Sequence, residues 1–272
     1  MSWICGHGVR VFEYTLSSGR GLRRVSSFAA YSKLGEGLCP IDNPQPLIQL
    51  HLASKLARLH ILLSKEKGED KNIMTKTIEF HFDFGGPNSY LAHKVLPDLA
   101  ARIGAQIVYV PILLGGLFKL TNNQAPLIRY AETPAKQKYE TLEFARFVKA
   151  HDLPFKMNPN FPINSLYLMR GAVAAQHLDC FMPYIEAIMT AMWEDGANTG
   201  DLSVVKEILD KAGLESTALL TKAEDPDIKA ELATNTEAAA ARGAFGVPTF
   251  FVGEEMFWGK ERLAQVEMAI NS

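Results

Sequence analysis

Gly86, Asn88 and Ser89 stand where an alternating stretch gives way to an apolar-periodic one, and residues so placed can hold an anion. In the run Thr77 to Phe84, Ile78, Phe80, Phe82 and Phe84 alternate with Thr77, Glu79, His81 and Asp83, the pattern of a β-strand. Gly85, Gly86 and Pro87 end it, because glycine permits a tight turn and proline at a helix start needs no amide partner. Ser89 or Asn88 is expected to cap the helix that follows. A strand that turns directly into a helix aims unpaired amides at one point, which favours phosphate, carboxylate or thiolate. The plainer reading of the same residues is a turn and a helix cap. His81 reads first as a core histidine, and Asp83 either tunes the site or pairs structurally.

A second stretch complements the first. Gly246 to Gly253 reads as a short strand led by Val247-Pro248, Glu254 and Glu255 as a hairpin turn, and Met256 to Trp258 as a second strand. Gly259 then precedes a helix from Lys260 to Ile270. Between the two stretches, a helix is expected from Ser89 to Ile103, kinked or restarted at Pro97 and ended by Gly104. A strand follows over Gln106–Pro111, then an irregular run from Ile112 to Ala135. Further helices are expected at Tyr139–His151, Ser165–His177, Phe181–Trp193, Leu202–Ala212 and Asp227–Arg242.

Composition narrows the function. Of 272 residues, 47% are hydrophobic and 21% charged, ordinary for a globular chain with a full core. Residues 1–73 hold ten Lys and Arg against six Asp and Glu, so residues 74–272 hold eighteen against twenty-four. The larger part is mildly acidic, which argues against nucleic acid as its partner. The cysteines are Cys5, Cys39 and Cys180, with no CxxC, so neither a disulfide framework nor a metal site is indicated. No apolar run approaches the ~18 residues of a membrane span. Residues 1–73 read as a disordered extension upstream of a natural start at Met74. The rival is a mitochondrial targeting segment, since Arg20, Arg23 and Arg24 sit among serines. Only Leu47 to Leu63 reads there as an amphipathic helix.

The order strand–helix–strand early and Val-Pro–hairpin–helix late is that of an α/β thioredoxin-like fold. Residues 74–111 and 244–272 form the thioredoxin-like domain, and 112–243 an inserted helical domain. Phe82-Asp83-Phe84, Gly-Pro-x-Ser-Tyr-Leu over 86–91, Gly246-Val247-Pro248-Thr249 and Trp258-Gly259 together resemble the 2-hydroxychromene-2-carboxylate isomerase family. That family is related to kappa-class glutathione transferases within the DsbA-like thioredoxin superfamily. The resemblance covers Thr77 to Ile270 and implies a cis Val247–Pro248 bond beside the first helix. It implies bound glutathione with its sulfur over that helix N-terminus, and a small aromatic, carboxylate-bearing substrate. The thiolate adds to the conjugated system, a bond rotates and the thiolate leaves.

Position by position, the family's sulfur-directed Ser is Gly86 here, which leaves backbone amides, Asn88 and Ser89. Asn123 resembles the loop Asn that holds the tripeptide, and Lys136 a Lys that meets a glutathione carboxylate. Val247 offers its backbone to the cysteinyl part, and Pro248 shapes that segment. Lys260 and Glu261 replace the family's Ser-Asp or Asn-Asp, with Glu261 keeping the acid for the γ-glutamyl ammonium. Asn164 and Arg170 are candidates for a substrate carboxylate. Trp193 and Phe161 read as core or pocket wall, and Cys180 as a packing residue. The resemblance also implies a homodimer and a bacterial-type cytoplasmic setting. Two alternatives stand beside the isomerase: a kappa-like transferase, and a redox-dead binding module, which the glycine at 86 favours. A disulfide oxidoreductase is rejected because no cysteine lies near the first helix.

Overall fold

In the computed structural model the described residues are 76–272 and, upstream, two strands, β1 (Val11–Ser18) and β2 (Gly21–Phe28). The chain divides into two units, Met1–Asn72 and Ile73–Ser272. In the first, β1 and β2 pair antiparallel, from Val11 opposite Phe28 to Ser18 opposite Gly21. These strands lie in the segment expected to be a disordered extension. The helix expected over Leu47 to Leu63 lies outside the described residues.

The second unit is built on β3 (Thr77–Phe82), whose alternation buries Ile78, Phe80 and Phe82 completely on one face. β4 (Gln106–Pro111) pairs parallel with it, and β5 (Thr249–Val252) antiparallel on the other side. β6 (Glu255–Trp258) pairs antiparallel with β5, so the sheet order is β4-β3-β5-β6. A parallel pair needs a crossover, and α1 (Pro87–Ile103) supplies it. Gly104 ends α1 in the left-handed region at φ 67°, its N–H donating to the Ala100 carbonyl. Pro97 lies inside α1, which runs unbroken through it.

The segment expected to be irregular contains α2 (Leu114–Leu120) and α3 (Pro126–Arg129). Gly115 and Gly116 read as breakers, but tertiary bonds start α2. The Leu113 N–H donates to Thr236 Oγ1 at 2.9 Å, and the Leu114 N–H to Asp83 Oδ2 at 2.7 Å. Then come α4 (Pro134–Ala150), α5 (Leu166–His177), α6 (Phe181–Trp193), α7 (Leu202–Lys211), α8 (Ser216–Lys222) and α9 (Pro226–Ala241). Of these, α8 was not expected. A 3₁₀ turn over Lys260–Arg262 leads into the last helix, α10 (Leu263–Asn271).

The main core joins the Ile78/Phe80/Phe82 face to α1, α5, α6 and α10. Each large side chain so buried contributes roughly 1.5–3 kcal/mol. A smaller cluster, Ile112, Leu117, Ala239, Ala244, Val247 and Phe251, covers the opposite face. That cover explains why His81 and Asp83 are as buried as the apolar residues they alternate with. His81 faces Glu79, which also accepts from Arg242. Burial raises the Glu79 pKa, but the bonds from Arg242 and His81 outweigh it and hold it below the usual value.

Candidate functional site

The site forms where the turn after β3 meets the segment before β5. Asp83 organises the turn. Its Oδ1 accepts the Gly85 N–H at 2.7 Å, and its Oδ2 the N–H that opens α2. Burial pushes its pKa up, partly offset by hydrogen bonds from Ser165 and from the Leu114 and Gly85 amides. Phe84, the next residue, is tied from both sides. The buried Trp193 indole donates to its carbonyl at 3.0 Å, and its N–H points at Met169 Sδ at 3.4 Å. The Gly86 N–H closes the turn on the Asp83 carbonyl at 3.0 Å.

The N-cap of α1 is Gly86, with no side-chain cap, in place of the expected Asn88 or Ser89. Pro87 has no N–H to satisfy, and the Ser89 N–H donates to the Gly86 carbonyl at 2.8 Å. The Asn88 N–H is thus the open amide of the first turn, with no partner among the described residues. Ser89 is completely buried, yet its Oγ has no hydrogen-bond partner, and neither has the buried Oδ1 of Asn88. A buried polar atom without a partner costs about 1–3 kcal/mol, so two in one helix turn call for a reason.

Opposite them, the Val247–Pro248 bond is cis. Three bonds hold this segment: Asn123 Nδ2 to the Phe245 carbonyl at 2.8 Å, Thr249 Oγ1 to the Gly246 carbonyl at 2.7 Å, and the Gly259 N–H to the Pro248 carbonyl at 2.9 Å. The Val247 N–H and C=O have no partner among the described residues. The two segments touch: a Cβ built on Gly86 would lie 2.7 Å from Val247 Cγ2 and 3.2 Å from Ser89 Oγ. Gly246 is equally confined, since a Cβ there would lie 2.7 Å from Nε1 of the half-exposed Trp258.

The other expected residues are placed as follows. Asn123 reaches the site through the Phe245 carbonyl, so it positions the segment carrying Val247. Lys260 is buried, its ammonium paired with Glu261 and set over the Phe144 and Phe147 rings at 5.2 and 5.1 Å. Glu261 keeps a half-exposed carboxylate beside Gly259. Lys136 pairs with Glu140 at 3.2 Å and lies over the Tyr130 ring, with no bond to Gly86, Ser89 or Val247. Asn164 accepts the Leu166 N–H at the start of α5 and lines a shallow depression with Asn160 and Asn198. Arg170 pairs loosely with Glu224 at 3.4 Å, and its buried Nε has no partner. Asn164 and Arg170 share no contact. Ser165 and Met169, both bound to the turn after β3, went unnoticed in the sequence. So did the Val247 side chain, because nothing local marks a contact across 160 residues. Cys180, the only cysteine among the described residues, stands at the N-cap position of α6 without a side-chain cap bond, and burial raises its thiol pKa.

A helix N-terminus with an open amide, facing a cis-Pro segment with an unpaired backbone and holding no cysteine, suits an anion brought from outside. The model of the DsbA-like thioredoxin domain matches residues 77–271. The chain belongs to that family. Among its relatives, the 2-hydroxychromene-2-carboxylate isomerase of Sphingobium xenophagum is 31% identical over 194 residues, 71% of this chain and 97% of the relative. The glutathione S-transferase kappa 1 of Rattus norvegicus is 23% identical, over 69% of this chain and 88% of the relative. A solved 2-hydroxychromene-2-carboxylate isomerase superposes with TM-score 0.63 at 28% identity, over 72% of this chain and 94% of that one. Within the DsbA-like family, then, the chain is a homologue of these isomerases and kappa transferases.

Proposed function

We propose that the protein is a glutathione-dependent isomerase of 2-hydroxychromene-2-carboxylate type, acting on a small aromatic carboxylate. The observation that carries this reading is the cradle of Asn88, Ser89 and Val247, whose buried or open polar groups lack partners among the described residues and which has no cysteine of its own. When bound, glutathione supplies the thiolate that adds to a conjugated system and leaves once a bond has rotated. The chain's own residues do the rest. The Asn88 amide and the positive end of α1 favour the thiolate over the thiol. The Val247 N–H and C=O bond the cysteinyl backbone as an added strand would. Glu261 receives the γ-glutamyl ammonium, and Asn123 keeps the Val247 segment in register. Lys136 and Arg170 are the cations within the helical segment offered to carboxylates, Lys136 to the tripeptide and Arg170, with Asn164, to the substrate.

The full chain should isomerise 2-hydroxychromene-2-carboxylate, followed by ultraviolet absorbance, only when reduced glutathione is present. Turnover without glutathione would contradict the mechanism. Binding of glutathione with no turnover would favour the kappa-like transferase or the non-catalytic module, the reading that the missing side chain at Gly86 supports.

A further inference from the structure

Gly86, Ser89 and Val247 share one small volume. The point where a Cβ would stand on Gly86 lies 3.2 Å from Ser89 Oγ and 2.7 Å from a methyl of Val247. That methyl fills the space a side chain at 86 would take. Ser89 Oγ faces the same space, is completely buried, and bonds to nothing. A serine held there only for packing would be better replaced by alanine, which has no buried hydroxyl to desolvate. Val247 is itself nearly buried, at 9% exposure, and belongs to the small cluster under α2 and α9. Valine side chains occupy discrete staggered positions, so moving to another one vacates a methyl-sized pocket in a single step.

We infer that Val247 is a movable cover over Ser89, and that the Ser89 hydroxyl, once uncovered, is the side-chain donor to the ligand sulfur. This rests on the glutathione reading above. With the Val247 methyl turned aside, one sulfur atom occupies the space beside Gly86 and accepts the Ser89 hydroxyl hydrogen together with the Asn88 N–H. The step moves no electrons and breaks no bond; the hydroxyl stabilises the thiolate after its proton has gone to solvent.

The test uses the full chain as wild type, Ser89→Ala, Val247→Ala, and Gly86→Ser alone and combined with Val247→Ala. Calorimetry gives affinities for reduced and S-methyl glutathione, the thiolate's ultraviolet absorbance against pH gives the bound thiol's pKa, and thermal unfolding gives ligand-free stability. Ser89→Ala should unfold at a higher temperature without ligand, bind S-methyl glutathione as wild type does, raise the bound thiol's pKa, and lower turnover by about 10²-fold, the usual cost of one directed donor. Val247→Ala should tighten binding of reduced glutathione. Gly86→Ser should lose stability alone and regain it with Val247→Ala. If Ser89→Ala binds glutathione with an unchanged thiol pKa, or unfolds at a lower temperature without ligand, the assignment of Ser89 is overturned while the glutathione reading stands. If wild type binds neither tripeptide, both fall.

Discussion

Asp83 spends both carboxylate oxygens on backbone amides, one from the turn before α1 and one from the start of α2. Asn at this position keeps the shape but turns one acceptor into an NH₂ group facing an N–H. Asp83→Asn should therefore cost about 1–3 kcal/mol of stability, read from denaturant midpoints. The sequence left Asp83 as an acid that either tunes the site or pairs structurally, because the Leu114 amide is 31 residues away and has no local signature. Glu186 acts in the opposite sense on pH. The hydrogen bond from the buried His93 holds its carboxyl below the usual 4.5, with Lys94 nearby reinforcing the shift. A depressed carboxylate stabilises the fold above its unfolded pKa and stops doing so as pH falls through the lower folded value. Wild type should lose stability as pH drops below 4.5, and Glu186→Gln should lose less over that window; equal acid limbs would show that the His93 pair is not the cause.

At the scale of elements, β3, β4, α1 and α6 were legible, because strict alternation, Pro87, Gly104 and the apolar periodicity of Phe181–Trp193 are local signals. α2 was not, because its glycines argue against a helix and the bonds that start it come from Asp83 and Thr236. The site shows the same division. The helix turn and the Val247-Pro248 strand start were visible in the sequence and the resemblance implied the cis bond, but nothing showed that Asn123 would reach the Phe245 carbonyl or that Lys260 would be buried between two rings. Trp193 shows how α6 fixes the end of β3. Trp193→Phe removes the donor to the Phe84 carbonyl and leaves it buried, so stability should fall by about 1–3 kcal/mol by chemical unfolding. Gly104→Ala forces a Cβ into a left-handed cap and should cost about 1–2 kcal/mol in the same measurement.

For the whole molecule, the element order was enough to identify the fold, since a β-α-β half and a β-β-α half joined by helices can close into one sheet with order β4-β3-β5-β6. The helical segment between them is more than a spacer. Trp193, Met169 and Ser165 reach the turn after β3 from α6 and α5, and Phe144 and Phe147 of α4 flank Lys260 beside the last helix. Both halves of the sheet thus depend on it to hold the cradle. The most direct measurement is thermal unfolding of the full chain with and without reduced glutathione. Glutathione at ~100 times its Kd should add roughly 2.7 kcal/mol and raise the midpoint, with Ser89→Ala still responding to S-methyl glutathione. An unmoved midpoint at millimolar concentrations of either tripeptide would contradict a glutathione site at the N-terminus of α1.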